Sequence, residues 1–313
     1  MNPFTPFLTH QGVVLLDGGL ATALETRGKD LNDPLWSARV LLEDPDAVSQ
    51  VHMDYLAAGA DCIATATYQA TFEGFRDRGL QPAEAEEAFH RAVRLATEAR
   101  DAYWAQESNR EGRLRPLVAC SIGHYGAYLA DGSEYTGGYG LDAEALVRFH
   151  RRRWRLLATS GVDLLACETV PSVVEVRALL RLLAETPDVW AWMSFQCRDQ
   201  AHLADGTALA EAVRACDDAD HVAAVGVNCV PPERVASLLS VARSATSKPL
   251  MAYPNSGEAY DATTKTWKPG GEGSDPSEEA PRWRDEGATV LGGCCRTGPD
   301  TIARMRSRLL DPA

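Results

Sequence analysis

Hydrophobic positions along the chain alternate between two rhythms. Short continuous apolar or β-branched runs recur: VVLLD ending at Asp17, DCIATAT ending at Thr67, PLVACS ending at Ser121 and DLLACE ending at Glu168. The pattern then repeats with WAWMSF to Phe195, VAAVGVNC to Cys229, PLMAYPN to Asn255 and TVLGGCC to Cys295. Between them, segments 82–108, 142–160, 172–186 and 231–243 space apolar residues three and four apart, as a helix with one buried face requires. Strands that are apolar throughout predict a parallel sheet buried on both faces, and eight strand–helix units predict closure. The expected fold is therefore α/β, a single (β/α)8 barrel of the TIM type forming one domain over residues 1–313. An open doubly wound sheet is the second reading, but Asp17 is followed by GGLATALE, not by a Gly-x-Gly-x-x-Gly turn. Two long connections after strand ends, 122–141 and 256–276, read as structureless binding loops or lids.

Composition narrows the function mainly by exclusion. The chain of 313 residues is 45% hydrophobic and 24% charged, enough for a large core, and no stretch is apolar for long enough to span a bilayer. A formal charge of -13 repels nucleic-acid backbones and anionic lipid, so the expected partners are small molecules. The start, MNPFTPFLTHQG, lacks a basic segment followed by an apolar run, which predicts a cytoplasmic protein. The sequence does not fix the oligomeric state, and a monomer is slightly favoured. Eight cysteines in such a chain read as reduced thiols rather than a disulfide framework.

Barrels of this kind build their sites at the strand C-termini. There the sequence places Cys229 on the sixth strand, Cys294 and Cys295 on the eighth, Asp17 on the first and Glu168 on the fourth. Three thiolates suit zinc in tetrahedral geometry and leave a fourth position open. Adjacent cysteines can share one ion only where the backbone leaves the strand, and Gly292 and Gly293 give it that freedom. Cys62, Cys120, Cys167, Cys197 and Cys216 read as buried structural residues, as any single cysteine does by itself. Asp17 and Glu168 admit two roles, binding an ammonium group or capping the next helix. His90, His150 and His221 show no ligand spacing and read as ordinary helix or loop residues.

Taken together, the segments LLDGGLATALE at 15–25, NDPLWSA at 32–38, HMDYLAAGADCIATATYQAT at 52–71, YGAYLADGSEYTGGY at 125–139, ETVPS at 168–172, VGVNCVPPE at 225–233, YPNSGE at 253–258 and GGCCRTGP at 292–299 closely resemble the homocysteine S-methyltransferase family. The resemblance implies a zinc ion held by Cys229, Cys294 and Cys295, with the homocysteine sulfur in the open position. It also implies that Asp17 and Glu168 contact the amino group of homocysteine. The backbone at Gly18 and Gly19 and a hydroxyl at Thr65 or Thr67 would help with its carboxylate; those threonines share a strand face, so spacing leaves both open. His124 departs from the family pattern, which usually has proline before Tyr-Gly-Ala-Tyr.

The implied reaction is attack of a zinc-bound thiolate on the methyl group of a cationic donor. A zinc-bound thiol is deprotonated, whereas a free one with a pKa of about 8.5 is mostly protonated at neutral pH. The motifs resemble those of the branch that uses S-methylmethionine, with S-adenosylmethionine the second donor and betaine disfavoured. Tyr125, Tyr128, Tyr135 and Tyr139 are candidates to face a sulfonium, or plain surface tyrosines. A zinc hydrolase on the same barrel is the rival enzyme, disfavoured because such enzymes mostly use histidine and carboxylate ligands. A closed structural zinc site is disfavoured because no fourth ligand stands at a comparable strand end.

Overall fold

A computed structural model describes residues 1–31, 37–261, 266–268 and 275–310. Most of the NDPLWSA segment and much of the second long connection lie outside them. The apolar runs form the barrel strands β1 (Val14–Leu15), β2 (Cys62–Ala64), β3 (Leu117–Gly123), β4 (Leu164–Val170), β5 (Ala191–Phe195), β6 (Val222–Asn228) and β7 (Leu250–Tyr253). A small antiparallel pair, β8 (Ala259–Asp261) and β9 (Thr266–Lys268), precedes the eighth barrel strand, β10 (Ala288–Leu291). Parallel pairing runs β1-β10-β7-β6-β5-β4-β3-β2, and a parallel bridge between Leu16 and Cys62 joins the two ends of the row. The expected (β/α)8 barrel is the observed fold.

Helices follow from apolar spacing plus end signals. Pro82–Ala105 starts with proline in its first turn and with Glu84 accepting from the Gln81 N–H at 2.7 Å. It buries Ala85, Ala88, Phe89, Ala92, Ala96 and Tyr103 along one stripe. Asp142 and Ser172 cap the helices Ala143–Ala158 and Val173–Ala184 by accepting from backbone N–H groups three residues on.

The two core clusters separate the two faces of the sheet. The larger packs helices against the outer face of the barrel. The smaller fills its interior with Val14, Leu16, Ala119, Leu164, Ala166, Trp192, Ala224, Met251 and Val290, joined by Phe4 and Phe7. Those phenylalanines belong to an N-terminal segment, with Phe7 in the helix Thr5–Gln11, that plugs the end where the strands begin, and Asn2 donates to the Ala223 carbonyl at 2.8 Å. Because alternate residues of a strand face the same way, the rows that begin with these apolar side chains continue to Ser121, Glu168, Ser194, Asn228 and Tyr253. The barrel interior is thus oily at its base and polar toward its mouth. Among the described residues, no helix is long and apolar enough to cross a membrane.

The first long connection is not structureless. It holds the helix Tyr125–Leu129 and a 3-10 turn at Ser133–Tyr135. Its anchor comes from far along the chain: Glu175 accepts from the Tyr125 N–H at 2.7 Å and from His150 Nε2 at 2.8 Å. Arg153 donates to His150 Nδ1 at 2.8 Å and to the carbonyls of Ala70 and Gly123. His150 is therefore not the ordinary helix residue expected; it is fully buried and, with Nδ1 accepting, Nε2 carries the single proton. Burial lowers its pKa, consistent with the neutral ring.

Candidate active site

The thiols of Cys229, Cys294 and Cys295 lie within 4.8 Å of one another at the mouth of the barrel. Cys229 and Cys295 are 3.7 Å apart at sulfur. The chain leaves β10 after Leu291 and turns at Cys295–Arg296, which lets neighbouring cysteines face one centre. Gly292 and Gly293, expected to give the backbone freedom to turn, are not themselves left-handed; the left-handed residue at this turn is Arg296, at φ +63°. The glycines are needed for close approach. A Cβ on Gly293 would sit 2.2 Å from Thr297 Oγ1 and 2.7 Å from its Cβ, so rotating that side chain brings no relief. Gly19 is similarly confined, with a Cβ there falling 2.6 Å from the Cys294 carbonyl oxygen.

Cys229 is aimed by strain. It has φ +52°, and Thr169, just after Glu168, has φ +61°. Left-handed backbone is costly for residues with a Cβ, especially β-branched ones, at about 1–3 kcal/mol each, and persists where surroundings enforce it. Asn228 supplies that enforcement: its Oδ1 accepts from the Thr169 N–H at 2.8 Å, and its Nδ2 donates to Thr169 Oγ1 at 2.8 Å and toward Cys294 Sγ at 3.8 Å.

Crowding makes the three thiols hard to ionise together. The Cys229 thiol, followed by burial, pushes Cys294 well above the ordinary thiol range, and the Cys229 and Cys294 thiols with burial do the same to Cys295. A cation at their centre removes that repulsion, so the donor set fits a soft divalent metal. No fourth His, Cys, Asp or Glu joins the cluster among the described residues. The other five cysteines are free and buried, as expected, and burial raises Cys120 and Cys197 to about 12.

Two carboxylates face the same space. Asp17 accepts from the Ala64 N–H at 2.8 Å, while Glu168 accepts from Ser121 Oγ at one oxygen and from the Tyr253 hydroxyl at 3.2 Å at the other. Neither caps a helix: Gly19 stands at the start of Leu20–Thr26, and Ser172 caps Val173–Ala184. Burial raises Asp17 well above the usual carboxylate range, with the Glu168 and Cys294 charges adding to it. Burial likewise pushes Glu168 up to about 7, with Cys294 adding to it and the two hydroxyls opposing. No cationic side chain contributes to either shift. This is a pocket of acidic groups with no cationic partner among the described residues.

The remaining candidates are narrowed by their hydrogen bonds. Thr65 and Thr67 lie in a turn past β2 rather than on a strand, and their hydroxyls are 2.7 Å apart. Thr67 donates to the Ser121 carbonyl, so Thr65 must donate to Thr67, while Thr65 also accepts from the Ser121 N–H. Both hydroxyl protons are thereby committed within the protein, the Thr67 one tying the turn after β2 to β3. The Gly19 N–H is committed to the Thr297 carbonyl at 2.9 Å. Of the backbone expected to meet a carboxylate, Gly18 alone keeps its N–H without an acceptor among the described residues.

In the first long connection, His124 is buried, with Nε2 3.1 Å from the Tyr68 hydroxyl and Nδ1 3.0 Å from the Tyr139 hydroxyl. Burial holds its pKa near 4, so a neutral ring clips that connection to the loop after β2. Tyr125 packs edge-on to Tyr139 and Phe149, and Tyr128 donates to Asp77; Tyr135 is the more exposed of the four tyrosines. Ser121, Asn228, Ser194 and Tyr253 were not singled out from the sequence. The one signal that could have found them is their place at the ends of interior-facing rows.

A (β/α)8 barrel whose mouth combines three thiols able to hold a metal with two buried acids defines a class of small-molecule enzyme rather than a structural metal protein. Comparison with known proteins gives the family. The homocysteine S-methyltransferase family pattern matches residues 14–309, and the chain belongs to that family; it is a methyltransferase. The homocysteine S-methyltransferase YbgG of Bacillus subtilis strain 168 is 48% identical over 305 residues, which cover 97% of each chain. The homocysteine S-methyltransferase of Escherichia coli K12 is 47% identical over 308 residues, 98% of each chain. The metallated form of the E. coli homocysteine methyltransferase MmuM superposes with a TM-score of 0.88 at 44% identity, covering 98% of this chain and 100% of that one.

Proposed function

We propose that this protein, acting as one barrel domain, transfers a methyl group from a sulfonium donor to the thiol of L-homocysteine, forming methionine. The observation that carries this reading is the pairing of three converging thiols with two buried acids that have no cationic partner among the described residues. Cys229, Cys294 and Cys295 would hold zinc, which when bound supplies a site where a substrate thiol loses its proton at neutral pH. An α-amino acid carrying a thiol complements both halves: its sulfur meets the cysteine cluster, and its ammonium meets Asp17 and Glu168. Pairing with that ammonium offsets the burial of the two carboxylates and keeps them ionised. The Gly18 N–H is the backbone donor left for the substrate carboxylate.

The chain's part in the reaction is alignment. Fixed walls at the ends of β4, β6 and β10 hold the acceptor so that its sulfur approaches the donor methyl in line, and such alignment replaces an unfavourable encounter by a nearly unimolecular one. A cationic donor leaves as a neutral molecule, so the thiolate charge is cancelled rather than moved. S-methylmethionine is the proposed donor, S-adenosylmethionine the second and betaine the poorest, in keeping with the motifs at 125–139 and 253–258. Methionine formation from homocysteine with each donor tests this: kcat/KM should fall in that order, and a preference for betaine would overturn the donor assignment.

A further inference from the structure

Beneath Glu168 lies a chain of polar contacts that the reaction as described does not use. Tyr253, on β7, is 4% exposed, and its hydroxyl meets three groups: Trp192 Nε1 at 3.0 Å, Ser194 Oγ in a short contact, and Glu168 Oε2 at 3.2 Å. With Glu168 ionised, the directions of these bonds follow. An indole N–H only donates, and an ionised carboxylate only accepts. The phenol therefore receives from Trp192 and donates to Glu168, which leaves Ser194 to donate to the phenol. On the other carboxylate oxygen, Ser121 donates from β3. Both oxygens of Glu168 are gripped by donors from the barrel interior, an arrangement suited to a charged carboxylate and not to a neutral acid.

We infer that Tyr253 is a positioning residue for the methyl acceptor: with its hydroxyl oriented by Trp192 and Ser194, it holds the Glu168 carboxylate facing the acceptor's ammonium group. This rests on the reading that Glu168 binds that group. Burial and the Cys294 charge raise Glu168 to about 7 even against the opposing Ser121 and Tyr253 bonds, so each donated bond matters to its charge as well as its direction. The hydrogen bond of Tyr253 to the thiol side runs through the backbone, where its carbonyl accepts from the Cys229 N–H at 3.1 Å, while the phenol hydroxyl is taken up by Trp192, Ser194 and Glu168. Changing the side chain therefore separates acceptor binding from metal binding.

Tyr253→Phe in the zinc-loaded enzyme should raise the KM for homocysteine about tenfold or more, the worth of one hydrogen bond to a charged group, with kcat at saturation, the KM for the methyl donor and zinc content little changed. Trp192→Phe, which acts one bond further away and provides a second probe should the first variant fold poorly, should raise the same KM by a smaller factor of about three. Glu168→Ala is measured alongside. If Glu168→Ala raises the homocysteine KM while both other variants leave it unchanged, the role of Tyr253 is refuted and the reading of Glu168 stands. If Glu168→Ala also leaves it unchanged, both fall. Loss of zinc in Tyr253→Phe would place the side chain with the thiol cluster and equally overturn the inference.

Discussion

The two ends of the barrel treat buried acids in opposite ways. At the base, Asp61 is 1% exposed and fully matched: it accepts from the Leu15 N–H at 2.9 Å and Gln11 Nε2 at 2.6 Å, and Arg306 and Arg113 stand 3.2 and 3.5 Å away. At the mouth, Asp17 and Glu168 are buried together with no cationic side chain contributing to their charge balance, beside three crowded thiols and left-handed residues at positions 169, 229 and 296. A buried acid with its own arginines belongs to the structure. One without them is held ready for a positive charge that arrives with a ligand.

That contrast breaks most visibly at the thiols. Cys229→Ala, Cys294→Ala or Cys295→Ala should abolish methyl transfer, at least ~1,000-fold, and metal binding with it, while the melting temperature of the metal-free protein stays near that of metal-free wild type. Metal analysis, turnover and thermal unfolding on the same samples check this; a variant with full activity would dissolve the proposed cluster. Gly293→Ala should give nearly the same loss without touching a ligand, because the added Cβ collides with Thr297 and displaces Cys294. Normal metal content in that variant would show that the turn tolerates movement.

At the base, removing charge should affect the fold and spare the chemistry. Asp61→Asn removes the carboxylate charge that faces two arginines and should destabilise the protein by about 3 kcal/mol, read from denaturant unfolding, with kcat/KM unchanged at a temperature where the variant is folded. The mouth should respond in reverse. Asp17→Ala and Glu168→Ala should lower kcat/KM for homocysteine about a hundredfold, while stability holds or rises because a buried unpaired acid has been removed. Equal losses of stability at both ends would erase the distinction.

A smaller effect should come from acid. His52 is fully buried, with neither ring nitrogen hydrogen-bonded to the described residues, and burial lowers its pKa to about 4. An unfolded histidine, near pKa 6.5, takes up a proton as pH falls below that value, whereas the folded one resists until about 4. Stability is therefore complete above pH 6.5 and is lost progressively toward pH 4, by about 2 kcal/mol at pH 5 from this residue. His52→Leu should flatten that part of the stability curve, and an unchanged slope would show that His52 does not set it.

These contrasts also mark what can be read from a sequence. Runs such as VAAVGVN and DLLACE announce buried strands because they are apolar on both faces, and the reactive residues at their ends then locate the mouth. The proximity of Cys229 to Cys295 was legible for the same reason. Thr65 and Thr67 were placed on a strand because the apolar run continues through them, yet Thr67 donates to Ser121 and the chain turns, a consequence of a partner 54 residues away. The helix at Tyr125–Leu129 was missed in the same manner: its anchor, Glu175, lies 50 residues on. Asn228 was passed over beside its more reactive neighbour, and its grip on Thr169 depends on backbone strain that leaves no mark in composition.

The central claim is that a metal held by three cysteines and a pair of unmatched acids serves methyl transfer to homocysteine. Its most direct test is product stoichiometry with S-methylmethionine carrying a labelled transferable methyl group, run on zinc-loaded and metal-stripped protein. The account predicts two methionines for each homocysteine consumed, one of them bearing the label, with turnover lost on stripping and restored by zinc. Undiminished turnover after complete metal removal, or label passing to water and not to homocysteine, would contradict it.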